Sequence, residues 1–382
     1  MYIELHMIQN FAPSNLNRDD TNNPKDCEFG GHRRARISSQ CLKRAIRRSP
    51  VFAQTTGVEI GTRTRWITRL LRDPLLQAAK PEEEVDAVVA AFVPTYIGKM
   101  DKDRTAVLVF LSDEETHTMV EALLTNWEEV VAQAQAGNDN KPKKSSIVDD
   151  LVKGLTKKSK GRTSAPDIAL FGRMLAERPQ LGLDAACQVA HAIYTHRVTM
   201  EMDFFTAVDD LQAEDEPGAG MMGFIGFDSA CFYRYARLDW NQLTENLRGD
   251  AALARRTVAG FLRAAVQAVP TGKQNSMAAH NPPSFILAVV RGDGMGWSLV
   301  NAFETPIRPK GNSGLVAPSV EELDTYWGYL VDAYGDDTIL ATLSLSLDPD
   351  LPLDRLVDCR VKDLSALVDG VLAALPAGEA AA

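Results

Sequence analysis

Long apolar runs are missing from this 382-residue chain. No stretch approaches the length a membrane-crossing helix needs, and the opening MYIELHMIQN mixes apolar and polar residues without the charged lead of a secretion signal. A cytoplasmic location and no membrane partner are expected. Cysteine is scarce as well: the five present are odd in number, widely spaced and never in a C-x-x-C pair, which argues against a disulfide framework and a zinc knuckle. Cys27, Cys41, Cys187, Cys231 and Cys359 read as small, mostly buried side chains of a reducing compartment. Catalytic signatures are equally thin. Gly272 and Lys273 have no upstream glycine at P-loop spacing, no G-x-G-x-x-G opens a helix after a strand, and GMGWS is not a nucleophile elbow. His191 and His196 lack the spacing and the glutamate of H-E-x-x-H and read as satisfied core or helix-end histidines. The pairs Asp19, Asp20 and Asp209, Asp210 read as solvated caps rather than a divalent-ion site. Nothing demands an enzyme, a cofactor or a metal.

One local absence says more than the rest. The formal net charge is -10, yet residues 29–58 contain no acidic side chain and gather Arg33, Arg34, Arg36, Lys43, Arg44, Arg47 and Arg48. An acidic chain that concentrates cations in one place presents a site for an anion. Gly30 and Gly31 permit a turn that aims N–H groups at an oxyanion. Ser38 and Ser39 look like caps for a helix over residues 40–48, and a helix N-terminus is itself an anion site. On a helical wheel Leu42, Ala45 and Ile46 share an apolar arc opposite the four helical cations. The bland alternative is an ordinary solvated basic face. Against it stand the missing i,i+4 carboxylates and the upstream Arg18 and Lys25, which extend the basic set. A phosphate backbone is the expected partner.

Along the chain, residues 2–9 alternate as a strand with Ile3, Leu5 and Met7 on one face, and residues 33–37 form a second extended run. Residues 61–136 show 3.6-type spacing and read as a helical insertion. Residues 137–162 carry Lys141, Lys143, Lys144, Lys153, Lys157, Lys158, Lys160 and Arg162, the composition of a mobile basic loop or a plain linker. A helix is expected over 185–196, a projecting hairpin over 199–226, a strand over 227–238, a helix over 251–269 and a buried strand over 284–290. The closing LPAGEAAA should fray. Uneven alternation of strands and helices points to an α+β sheet domain with insertions. GFIGFDSACF bears a faint likeness to the aromatic strand of RNA-recognition motifs but lacks its leading basic residue. Met200, Met202, Phe204 and Phe205 stand beside Glu201 and Asp203 in the expected hairpin, which suits a wedge that meets bases rather than phosphates.

LNRDD, FGGHRRARISSQCLKRAIRRS, DIALFGRM, DFFTAVDDLQ, FYRYA, VPTGKQN and NAFE occur in that order, and together they resemble the CasC family, the CRISPR RNA-binding backbone subunit of the type I-E Cascade surveillance complex. The resemblance implies a modified ferredoxin-like, RNA-recognition-like palm with a helical fingers insertion and a thumb hairpin. The implied division is palm over 1–60, 188–198 and 227–375, fingers over 61–187, thumb over 199–226 and a frayed tail over 376–382. The implied function is non-catalytic antiviral defense: copies of the chain oligomerise along one CRISPR RNA in a ribonucleoprotein and present it to target DNA. Further partners are the large, small, guide-end capping and repeat-processing subunits. By the same resemblance Arg18, Lys25, Gln40, Lys43 and Arg47 contact RNA, with Ser38 and Ser39 beside them. Arg36 and Arg44 join from the basic run. Phe204, Phe205 and Thr206 form the thumb wedge, Met174 packs on a displaced nucleotide, and Lys143, Lys144, Lys157 and Lys158 meet DNA. His32 stands where lysine can stand in the family. An RNA-processing endoribonuclease of ferredoxin-like fold is the competing reading, with His32 as its candidate acid or base.

Overall fold

The computed structural model describes every residue except 137–145, 176, 208–220, 312–313 and 378–382. Two units share the chain. Met1–Phe52, Gln188–Leu238 and Val258–Ala377 form the first, and Ala53–Cys187 with Asp239–Thr257 the second.

Strand β1 (Tyr2–Ser14) runs through the middle of the first unit's sheet. From Ile3 to Gln9 every residue is buried, so both faces are covered and not only the apolar one. The second face can be buried because the Glu4 carboxylate and one nitrogen of His6 find partners. The carboxylate of Glu4 accepts from Arg291 Nε at 2.7 Å, Tyr235 Oη at 2.7 Å and the Trp297 amide at 2.8 Å, and His6 Nδ1 lies 2.9 Å from Tyr233 Oη. Across the sheet the order is Ile339–Ser346, Phe285–Arg291, β1, Met221–Asp239, Ala192–Tyr194, then β3 (His32–Ile37) and β2 (Asp26–Phe29). Tyr2 pairs with Arg291 and Ile8 with Phe285 in an antiparallel register.

The helix expected over 185–196 is absent. Strands Cys187–Val189 and Ala192–Tyr194 stand there instead. Ala192, Ile193 and Tyr194 are all buried, and Ile193 pairs with Tyr233 on one side and Arg36 on the other. A short apolar run buried on both sides carries no periodicity to separate strand from helix, and its β-branched and aromatic residues decide for strand.

One hydrophobic layer packs Trp297, Leu299 and Phe303, with Val320, Leu323 and Trp327 of helix Val316–Tyr334, onto Ile8, Tyr233, Phe285 and Leu287. A second layer packs Leu42 with Phe11, Ile37, Tyr194 and Phe232. Leu42 belongs to α1 (Ser39–Arg47), the basic helix.

In the second unit, helices Ile67–Gln77, Glu82–Ile97, Asp113–Thr125, Trp127–Gln135 and Ile147–Ser159 bury Leu71, Val88, Phe92, Leu123, Val130 and Val148 in one core. The last of these helices corrects the loop expected over the lysine-rich stretch. Ser146 Oγ caps it by accepting from the Asp149 amide, and Val148, Val152 and Leu155 form its buried stripe. That 4-3 spacing is helical, and the lysines occupy the exposed side. No helix among the described residues is long and apolar enough to cross a membrane.

Candidate nucleic-acid interface

The basic segment starts at a hairpin. Phe29 pairs with His32 across a two-residue loop, and Gly30 and Gly31 hold φ of +58° and +70°, the signature of a type I′ turn. A Cβ on Gly30 would sit 2.0 Å from the Glu304 carbonyl oxygen, so the turn is seated against the NAFE segment. Arg34 seals the same contact. Fully buried, it donates from Nη1 to the carbonyls of Tyr194 (3.1 Å) and His196 (3.4 Å) and from Nη2 to those of Phe303 (2.9 Å) and Glu304 (3.0 Å). Arg33 pairs with Asp26 at 2.5 Å. Two cations of the run therefore serve the fold, and the glycine turn docks on protein instead of cradling an oxyanion.

Helix α1 carries the others. Ser38 Oγ accepts from the Cys41 amide at 3.3 Å, the Ser38 amide donates to Asn17 Oδ1 at 2.8 Å, and the Ser39 amide donates to His191 Nδ1 at 3.1 Å. The Ser39 and Cys41 amides are thus engaged by the protein, which withdraws them from the anion site expected at the helix N-terminus. Leu42 and Ile46 are buried as the wheel requires, Lys43 and Arg47 are half-buried, and Gln40, Arg44 and Arg48 are exposed.

The same bonds draw in the upstream residues. The Lys25 amide donates to the Asn17 carbonyl (2.9 Å), the Arg36 amide to the Lys25 carbonyl (2.8 Å) and Arg36 Nε to the Asp26 carbonyl (3.1 Å). Arg18 is exposed, with Nη1 donating to Asn22 Oδ1 at 2.9 Å. Asp19 Oδ1 accepts from Thr21 Oγ1 and from the Thr21 and Asn23 amides at 2.8–2.9 Å. These bonds, the Thr21 hydroxyl first, hold its carboxyl below the usual range. Asp19 is a loop cap.

A cavity of about 390 Å³ opens between these elements, lined by Leu16, Arg18, Cys41, Arg44, Pro270 and Gly272 among others. A Cβ on Gly272 would meet the Leu16 carbonyl oxygen at 2.4 Å, so loop 270–272 closes on the loop that carries Arg18. LNRDD, the α1 block and VPTGKQN therefore share one site. Burial pushes the Cys41 thiol above its ordinary value and keeps it protonated.

Also in the first unit, Glu201–Ala207 pairs antiparallel with residues 221–227 to make a ribbon. Phe204 faces Phe224, Met202 faces Gly226 and Thr206 faces Met222, which places Met202, Phe204, Thr206, Met222 and Phe224 on one side. Phe204 is 51% exposed, Phe224 69%, and their ring centroids lie 5.3 Å apart. Phe205 is on the opposite side and lies across Gly223, where a Cβ would meet its ring at 2.5 Å. Phe204 and Phe205, expected to act as one wedge with Thr206, point away from each other. Asp209 and Asp210 lie outside the described residues.

In the second unit, Gly172 ends helix Pro166–Phe171 at φ +75°, where a Cβ would meet the Leu183 carbonyl at 2.8 Å. Buried Arg173 then binds Glu115 and the Phe110 carbonyl at 2.9 Å and the Leu181 carbonyl at 2.8 Å. Next in the chain, Met174 is 91% exposed. Its projection is imposed by the anchored residues before it. Lys157 and Lys158 are exposed on the last turn of Ile147–Ser159, and Lys143 and Lys144 lie outside the described residues.

The family of CT1975-like proteins matches residues 3–369. The chain belongs to it. Among solved structures, this CT1975-like chain is similar to a chain titled "CRISPR RNA-guided surveillance complex, pre-nicking", at 33% identity and a TM-score of 0.85, over 98% of this chain and 100% of that one. A chain titled "CRISPR RNA-guided surveillance complex" is similar at 27% identity and a TM-score of 0.76, over the same shares. No curated protein matches. The resemblance to the CasC family is thereby confirmed.

His191 is the member of the site that the sequence did not reveal. As a metal ligand it has no partners at the right spacing, and its contacts with Ser39 and Arg36 exist only in the folded sheet. His196 is the satisfied histidine expected of both: Nε2 accepts from the Cys231 amide at 3.2 Å and Nδ1 lies 2.8 Å from the Arg197 carbonyl.

Proposed function

We propose that this chain binds CRISPR RNA as a non-catalytic backbone subunit of a type I-E Cascade complex. Copies of it stack along the guide, hold its backbone and leave its bases to pair with target DNA. The observation that carries the reading is that Arg18 and Arg44 line one cavity beside α1, the helix that also carries Gln40, Lys43 and Arg47, while backbone hydrogen bonds tie Lys25 and Arg36 to the segment before it, on a chain of net charge -10. Phosphate contacts give affinity and register without reading sequence, which a subunit repeated along a variable guide requires. Specificity then falls to base pairing, as in other RNA-guided systems.

On this reading the sheet unit is the ferredoxin-like palm, the helical unit the fingers and the ribbon the thumb. Phe204 and Thr206 press between nucleotides, Met174 packs on a displaced base, and the lysines of the helical unit meet target DNA. On this reading, as the resemblance to the CasC family implies, cleavage belongs to another protein.

The test is Lys43→Glu with Arg47→Glu in the full chain. Affinity for CRISPR RNA should fall by orders of magnitude, and the log-log salt slope should flatten by about 0.7 for each phosphate no longer neutralised. Unchanged affinity and slope would falsify the assignment. Shortening of repeat RNA by the purified chain would favour the endoribonuclease instead.

A further inference from the structure

His191 sits at the edge of the basic site with an exposed ring, held by one nitrogen. Its Nδ1 accepts from the Ser39 amide at 3.1 Å and from Arg36 Nη1 at 3.3 Å. Neither donor can reverse its role, because a backbone amide and a guanidinium only donate. Nδ1 must therefore carry a lone pair, which puts the proton of the neutral ring on Nε2. The desolvation of its protein-facing edge, then the neighbouring Arg36 and Lys25 cations, hold the imidazole below its usual range. At neutral pH the ring is uncharged and fixed in one tautomer.

The two groups bound to Nδ1 are the first residue of α1 and a cation of the phosphate-binding set. Ser39 is joined to β3 through Ser38 alone, whereas His191 lies just before the strand Ala192–Tyr194 that pairs with β3. Through one nitrogen, the neighbouring strand sets both the start of the helix and the Arg36 head group.

We propose that His191 is a positioning residue of the guide site: as a neutral acceptor it fixes the start of α1 and the Arg36 guanidinium in the geometry that grips the RNA backbone. The inference rests on the guide-binding reading and names a residue that the charge pattern could not. The requirement is for a lone pair at the Nδ1 position and not for a cation.

Two near-isosteres separate these possibilities. The Asn side-chain oxygen can stand where Nδ1 stands, whereas Gln reaches the position of Nε2. In the full chain, His191→Ala should weaken binding of CRISPR RNA by roughly three- to tenfold, the worth of about one hydrogen bond. His191→Asn should restore most of it, and His191→Gln should not. Because the ring is exposed, the thermal midpoint of the RNA-free protein should be the same in all three. Wild-type affinity in His191→Ala, or rescue by Gln in place of Asn, overturns the proposal. So does a fall in midpoint that parallels the loss of affinity. If those results appear while Lys43→Glu with Arg47→Glu still abolishes binding, only the role of His191 is lost. A wild-type chain without preference for CRISPR RNA over unrelated RNA overturns the guide-site reading and this inference with it.

Discussion

Asp228 and His6 are buried titratable groups of the sheet unit whose effects oppose each other. Burial raises the Asp228 carboxyl to about 6, and its Oδ2 has no hydrogen-bond partner among the described residues. Burial also lowers the His6 imidazole to about 4. Between pH 6.5 and 4 the unfolded chain protonates His6 while the native chain does not, so this group removes up to about 3 kcal/mol of stability as the pH falls. Between pH 3.8 and 6 the native chain holds the Asp228 proton and the unfolded chain releases it, so this group removes a similar amount as the pH rises. The wild-type acid profile should be nearly flat where the two overlap. Asp228→Asn should gain about 2–3 kcal/mol at pH 7 and little at pH 4 in denaturant unfolding, and it should expose the His6 limb. Equal stability of mutant and wild type at pH 7 would show that the carboxylate is not strained there. Charge type was legible for these residues, as for the basic run, but charge state was not. Arg34 shows why: the Phe303 and Glu304 carbonyls that withdraw it from the surface lie 269 and 270 positions away.

The ribbon separates two phenylalanines that are adjacent in sequence. Phe204→Ala should leave the midpoint of the RNA-free protein unchanged while removing about 1–3 kcal/mol of stacking per base, read as loss of the regular pattern of reactive bases along the assembled guide. Phe205→Ala should instead loosen the ribbon, because its ring covers Gly223, and disturb the pattern less. A large drop in midpoint for Phe204→Ala would assign that ring to the fold. The hairpin was legible because strand-like flanks and a glycine-rich end are local signals. Which face each ring takes follows from the register with residues 221–227, and a one-residue slip would exchange them. Helix α1 was legible apart from its ends, its arc and its Ser38 cap both being local: it runs Ser39–Arg47 where residues 40–48 were expected, and Ser39 is its first residue rather than a cap. The strand Ala192–Tyr194 was not legible, since burial on both sides erases the periodicity that names an element.

Taken whole, the sequence has two cation-rich stretches, residues 18–48 and 141–162, and each makes its own electrostatic prediction. Neutralising Lys157 and Lys158 to Gln in an assembled complex should spare binding of CRISPR RNA and slow capture of double-stranded target, most clearly at low salt. Failure of RNA assembly would move these lysines into the guide site, and no change in either step would make them a solvated helix face. The change of hydrophobic period near residue 61 marked the start of a helical stretch in the sequence, whereas the second unit begins at Ala53. The return of Asp239–Thr257 to the helical unit was not legible, because no composition shift marks it. A last consequence concerns synthesis on the ribosome. β1 is made long before either of its sheet neighbours, Met221–Asp239 and Phe285–Arg291. At translation speeds of about 5–20 residues per second, the second neighbour follows roughly 15–60 s later. Until Met221–Asp239 is made, roughly 11–45 s after β1 at the same speeds, the nascent chain exposes Ile3, Leu5, Met7 and Ile8 with no edge to pair with. Most of the helical core, made in between from nearby contacts, can close while the first strand still waits for a partner.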